Sequence, residues 1–172
     1  MNSKQKTVRA KKIFTKNIEL RDELWPKINS DSLWNRKRNN GFTTLPRPMP
    51  HILQIIDSLA DKGKPVSQVY LNLWCRVFDE SLVEVKNEKE MAFEARFTGQ
   101  RAVATWKSRM SKLVDMGFIE VKPGSLGKYT YVLILNPYLI IKKLKHKISE
   151  ELYNALFGRA QDVGEKDLKT GN

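Results

Sequence analysis

From position 51 the apolar residues fall at helical spacing. Ile52, Ile55, Ile56 and Leu59 stand at i, i+3, i+4 and i+7, which puts them on one face of a helix. Pro50 precedes its first turn and Gly63 ends it. Pro65 opens a second helix whose face is Val66, Val69, Tyr70, Leu73, Trp74 and Val77. Leu82, Val83 and Val85 read as a short extended piece. Asn87 with Glu90 reads as a capping pair for a third helix over 88–96, which buries Met91, Ala92 and Ala95. After the turn Phe97-Thr98-Gly99, a fourth helix over 100–116 turns Val103, Trp106, Met110, Leu113 and Val114 inward, and Gly117 stops it. Segments 118–122 and 128–135 read as strands joined by a turn at 123–127. Asn136-Pro137 caps a last helix over 137–158, carrying Ile141, Leu144, Ile148, Leu152 and Ala155 and ended by Gly158.

The first fifty residues lack this regularity. Positions 1–16 are polar and Lys-rich, a composition that favours a mobile end. A short helix is expected over 17–28, capped by Asn17, with Leu20, Leu24, Trp25 and Ile28 on one side. Three prolines and Asn39-Asn40-Gly41 make 35–50 an extended linker. The expected organisation is a basic N-terminal extension and linker over 1–50, a packed domain over 51–136, a C-terminal helix over 137–158 and a disordered tail over 159–172. The fold class is mainly α with a small β-hairpin.

A chain of 172 residues suits one domain with appendages. No apolar run approaches the ~20 residues of a membrane span, and no apolar segment follows the basic start as in a secretory signal. The single cysteine, Cys75, excludes an intrachain disulfide and reads as a small buried hydrophobe. These features point to the cytoplasm. The formal charge of +12 is segregated: +8 over 1–50, −2 over 51–97, +8 over 98–147 and −2 over 148–172. Solubility needs no such segregation, whereas contact with a polyanion does. A nucleic acid is therefore the expected partner, with no membrane partner.

The fourth helix concentrates this charge. With Val103, Trp106, Met110 and Leu113 inward, Arg101, Thr105, Ser108 and Lys112 recur at i, i+4, i+7 and i+11 on the other side. The order of helices, glycine-containing turn, basic helix and hairpin over 51–136 resembles the winged helix-turn-helix. Thr105, Trp106, Met110, Leu113, Gly117, Phe118 and Ile119 stand in the register that recognition helices of that superfamily often carry. The first helix of the motif is then 88–96 in preference to 65–78. The resemblance implies a recognition helix in the major groove of double-stranded DNA. It implies base reading by Gln100, Arg101, Thr105 and Ser108. Phosphate contacts would come from Lys107, Arg109 and Lys112 and from Lys122, Ser125 and Lys128 of the wing. Arg36, Lys37, Arg38 and Arg47 form a basic arm suited to a minor groove. Lys142, Lys143, Lys145 and Lys147 offer further phosphate contacts. A plasmid or mobile-element regulator, or a replication-initiator-like protein, has this appearance.

No catalytic chemistry competes with this reading. Gly127-Lys128-Tyr129-Thr130 lacks the earlier glycine of a phosphate loop and has Tyr129 where Ser or Thr must directly follow the lysine. His51 and His146 have no neighbours at metal-ligand spacing, and Asp79, Glu80 and Glu84 read as surface acids near a turn. No enzyme activity, cofactor or metal is expected. Two other classes remain. One is a protein-interaction module using Trp25, Trp34 and the last helix. The other is a binder of single-stranded DNA or RNA that stacks bases on Tyr129 or Tyr131. A homodimer through the C-terminal helix or the N-terminal extension is also open.

Overall fold

The computed structural model describes residues 3–78 and 80–168, and the chain divides into two units, 1–42 and 43–172. In the first unit α1 (Ser3–Leu24) is one helix of 22 residues. The expected mobile end over 1–16, of which 1–2 lie outside the described residues, and the separate short helix over 17–28 both give way to it, and Asn17 lies inside it. The reason is the absence of Pro and Gly between Ser3 and Leu24, where Lys, Gln, Ala, Leu and Glu favour the helix. Ile13, Phe14, Leu20, Leu24 and Trp25 are exposed. A 3-10 turn (Ser30–Ser32) follows, with the Asn29 side chain accepting from the Asp31 amide.

The second unit begins earlier than His51. The Thr43 hydroxyl donates to the carbonyls of Trp74 and Val77 at 3.4 and 3.3 Å, and Met49 is buried. The linker is therefore shorter than 35–50, and α2 (Met49–Leu59) opens directly behind Pro48. Asp57 of α2 caps the next helix, α3 (Ser67–Arg76): its carboxylate accepts from the amides of Val66 and Ser67 at 2.7 and 2.8 Å. Cys75 is exposed on α3, not buried. After β1 (Leu82–Glu84), Asn87 caps α4 (Glu88–Glu94) by accepting from Lys89 and Glu90 amides. The Glu90 side chain reaches across to Arg76 at 2.5 Å, and Arg76 also pairs with Glu94.

Helix α5 (Ala102–Asp115) buries Trp106, Met110 and Leu113 completely, with Val103 and Val114 partly covered. Its end is a Schellman turn. Gly117, at φ +79°, donates to Val114, and Phe118 donates back to Leu113. The strands β2 (Ile119–Gly124) and β3 (Gly127–Ile134) follow. The expected hairpin is part of a three-stranded antiparallel sheet, ordered β1-β3-β2. Its loop is only Ser125 and Leu126, because Gly124 pairs with Gly127, and Pro123 sits at a register irregularity inside β2.

The C-terminal segment is two helices, not one. Helix α6 (Pro137–Lys143) is capped by Asn136, and a 3-10 turn (Lys145–Lys147) breaks the pattern. Ser149 then caps α7 (Glu150–Val163), with Glu150 and Glu151 at its positive end. Gly158 lies inside α7, and Gly164 ends it. The tail expected to be disordered from 159 is thus helical to Val163, and Leu168 is buried in the core. Asp79 and the rest of that expected tail, 169–172, lie outside the described residues. Helix α7 packs against α2 with Tyr153, Leu156 and Ala160 buried, while Ala155 is exposed. No helix among the described residues is long and apolar enough to cross a membrane.

Candidate nucleic-acid interface

The geometry of α5 follows from its two ends. Gly99 at φ +79° turns the chain, the Ala102 amide donates to its carbonyl at 3.2 Å, and the helix starts there. Gln100 and Arg101 therefore stand in the turn ahead of α5, not in its first turn. Both are exposed, and the Arg101 carbonyl accepts from the Thr105 amide at 2.8 Å. Ser108 and Lys107 are exposed, whereas Thr105, Arg109 and Lys112 are half-buried. Among the described residues Arg101 makes no ion pair.

Of the cations expected to hold phosphates, the three on α5 are all engaged within the fold. Lys107 Nζ lies 2.7 Å from a Glu88 carboxylate oxygen, and Lys112 Nζ lies 3.0 Å from Asp61 Oδ1. Both acids come from the negatively charged 51–97 block. Arg109 places its guanidinium 6.0 Å from the Phe97 ring centre, and its Nε is buried without a hydrogen-bond partner. The hydrogen bond and charge of Lys112, helped by Lys64 and Arg109, hold the Asp61 carboxyl below its usual range, so it is ionised at neutral pH. Neither carboxylate was readable from the sequence as part of this surface. Asp61 and Lys112 are brought together only by the packing of the second unit.

The hairpin is fastened to this helix. Tyr129 is buried, meets Trp106 edge to face at 5.7 Å between ring centres, and donates its hydroxyl to the Lys107 carbonyl at 3.3 Å. That removes Tyr129 as a platform for stacking bases; Tyr131 is exposed. Lys122, Ser125 and Lys128 all face solvent, and Lys128 Nζ lies 5.3 Å from the centre of the Tyr129 ring. Gly124 serves the hairpin itself: a Cβ there would lie 2.6 Å from Thr130 Cγ2 and 2.9 Å from Tyr131 Cε2.

The basic arm is not one piece. Arg36, Lys37 and Arg38 belong to the first unit, where Arg38 is held by Asp31 and the Ser30 carbonyl. Arg47 belongs to the second, exposed between Pro46 and Pro48 at the entry to α2. Lys142, Lys143, Lys145 and Lys147 are exposed, and Lys145 stands 4.6 Å over the Tyr153 ring. No group of His, Cys, Asp or Glu among the described residues is placed to hold a metal. No known protein family, curated protein or solved structure matches this chain.

Proposed function

We propose that this protein binds double-stranded DNA in a sequence-specific manner, with the second unit working as a winged helix-turn-helix. In this reading α4 and α5 are the helix pair, α5 is the recognition helix, and the β2–β3 hairpin is the wing. One observation carries it. Exposed Arg101 stands directly ahead of α5, the side of α5 turned away from buried Trp106, Met110 and Leu113 presents Ser108 and half-buried Thr105, and the hairpin anchored to the same helix by Tyr129 presents Lys122 and Lys128.

The chemistry is direct. An exposed guanidinium ahead of the helix forks onto the two acceptors of a guanine, and the Gln100 amide matches adenine. Thr105 and Ser108 hydroxyls serve bases or phosphates. Lys122 and Lys128 hold the backbone and set the register without reading sequence. Such a protein suits transcriptional regulation, or the replication or maintenance of a mobile element.

The test is binding of a selected duplex and of random duplex across a salt series. Arg101→Ala should lose ~1–3 kcal/mol on the selected sequence, roughly 5- to 150-fold, and little on random DNA. Equal losses on both would remove its reading role. Equal affinity for duplex, single strand and RNA at one ionic strength would remove the duplex reading.

A protein-interaction surface has one observation in its favour. Leu82 and Leu133 pair across β1 and β3 and both stay exposed, as does Phe78 at 84%. A partner bound there would persist at high salt. Because α7 spends its apolar stripe on α2, a homodimer would draw on the exposed Leu20, Leu24 and Trp25 of the first unit.

A further inference from the structure

We infer that Asp61 and Glu88 are internal phosphate surrogates, which hold Lys112 and Lys107 of α5 in the unbound protein and thereby lower its affinity for arbitrary duplex. This rests on the DNA reading above and adds to it a device that limits non-specific binding.

At 3.0 and 2.7 Å each ammonium already has a carboxylate where a phosphate oxygen would otherwise sit. Each pair has one member well exposed to water: the Lys112 and Asp61 side chains are 31% and 56% exposed, and those of Lys107 and Glu88 are 45% and 18% exposed. Ion pairs at such exposure are weak and exchange readily. They do not block DNA. They require an exchange, in which lysine leaves carboxylate for phosphate.

That exchange changes the thermodynamics of binding. A free lysine that neutralises a phosphate releases about 0.9 of a counterion from duplex DNA. A lysine drawn from a carboxylate leaves an anion behind, which recruits a cation and faces a negatively charged backbone. The net release for that contact falls towards zero. An encounter held by phosphates alone is weakened most noticeably, because it has nothing else to hold it. A complex that also engages base edges through Arg101 survives the same loss. Lys122 and Lys128 of the hairpin make no ion pair among the described residues, so the wing retains ordinary phosphate attraction.

Asp61 is the sharper test, because Glu88 also sits in the first turn of α4 and contributes to that helix. The full chain is titrated with random duplex over a salt series, as wild type, Asp61→Asn, Lys112→Ala, the double variant of those two, and Asp61→Asn with Glu88→Gln. Glu120→Gln, which neutralises an exposed acid without an ion pair among the described residues, controls for net charge. Asp61→Asn should tighten binding by about 3- to 10-fold at moderate salt and steepen the log–log salt slope by about 0.9. The gain should largely vanish in the Lys112→Ala background, the small remainder coming from Lys64, whose Nζ lies 3.8 Å from Asp61 Oδ2. Glu120→Gln should change affinity less than about twofold. No gain from Asp61→Asn, a gain that survives Lys112→Ala undiminished, or an equal gain from Glu120→Gln overturns the inference while leaving the DNA reading intact. If wild type and the Asp61→Asn/Glu88→Gln variant both fail to bind any duplex, the DNA reading falls and takes this inference with it. Binding by that variant alone supports both.

Discussion

Gly124→Ala is a small change with a large expected effect. The site is exposed and belongs to a hairpin tip, where glycine is ordinarily read as a convenience of the turn. Here the glycine does not adopt a left-handed backbone; it makes room. An added Cβ would lie 2.6 Å from Thr130 Cγ2, 2.9 Å from Thr130 Cβ and 2.9 Å from Tyr131 Cε2. Tyr131 can swing its ring into solvent. Thr130 cannot yield as cheaply: it is 3% exposed, and its hydroxyl donates to the Gly127 carbonyl at 2.8 Å. The overlap must be relieved by moving β2 away from β3 at the tip, or by turning Thr130 out of its hydrogen bond. Overpacking of this kind costs ~1–3 kcal/mol. For a chain of this size that lowers the melting temperature by roughly 2–4 °C per kcal/mol. Thermal unfolding followed by circular dichroism gives the magnitude. Amide exchange across 119–134 shows whether the loss is confined to the hairpin. A Gly124→Ala protein that melts with wild type and protects these amides equally would refute the packing argument.

Two further substitutions probe the elements packed around α5. Asp57→Ala removes two hydrogen bonds to the start of α3 and should cost ~1–2 kcal/mol in chemical denaturation, whereas Asp57→Asn, which keeps an acceptor, should recover most of that. Glu94 is held below its ordinary range, first by its hydrogen bond from Arg76 and also by Asn72. A carboxyl lowered in the folded state stabilises fully above its unfolded value, and that stabilisation is lost as pH falls through the lowered folded value. The side chain is 38% exposed, so screening keeps the contribution to under about 1 kcal/mol. The gap between wild type and Glu94→Gln should be open at pH 7 and close at strongly acid pH; a gap independent of pH would contradict the pairing.

The elements around α5 were legible because their signals are local. The i, i+3, i+4 faces of α2 and α3, the Asn87 cap of α4, the buried Trp106, Met110 and Leu113, and the Gly117 stop each lie within one or two helical turns. What escaped depends on distant partners or on competing local signals. Leu82–Glu84 joins the sheet only through Tyr131–Leu133, some fifty positions on, and nothing in three residues announces that. The last helix read as continuous because Ile141, Leu144, Ile148 and Leu152 keep helical spacing. Ser149-Glu150-Glu151 is the start signal that breaks it. Cys75 sits beside apolar neighbours yet faces water, since a ten-residue helix has an outward side as well. At the candidate interface the cations of α5 were legible but their carboxylates were not. Lys107 and Glu88 are nineteen positions apart, and Lys112 and Asp61 are fifty-one.

The pairing of α2 with α7 bears on how the chain is made. Helix α2 ends at Leu59 and its partner begins at Glu150, so roughly ninety residues must be synthesised in between. At about 5–20 residues per second a ribosome needs on the order of 5–20 s to deliver them. Throughout that interval the part of the nascent α2 surface that α7 later covers stays wet and adhesive. Among the described helices, the last to emerge is the one that covers α2.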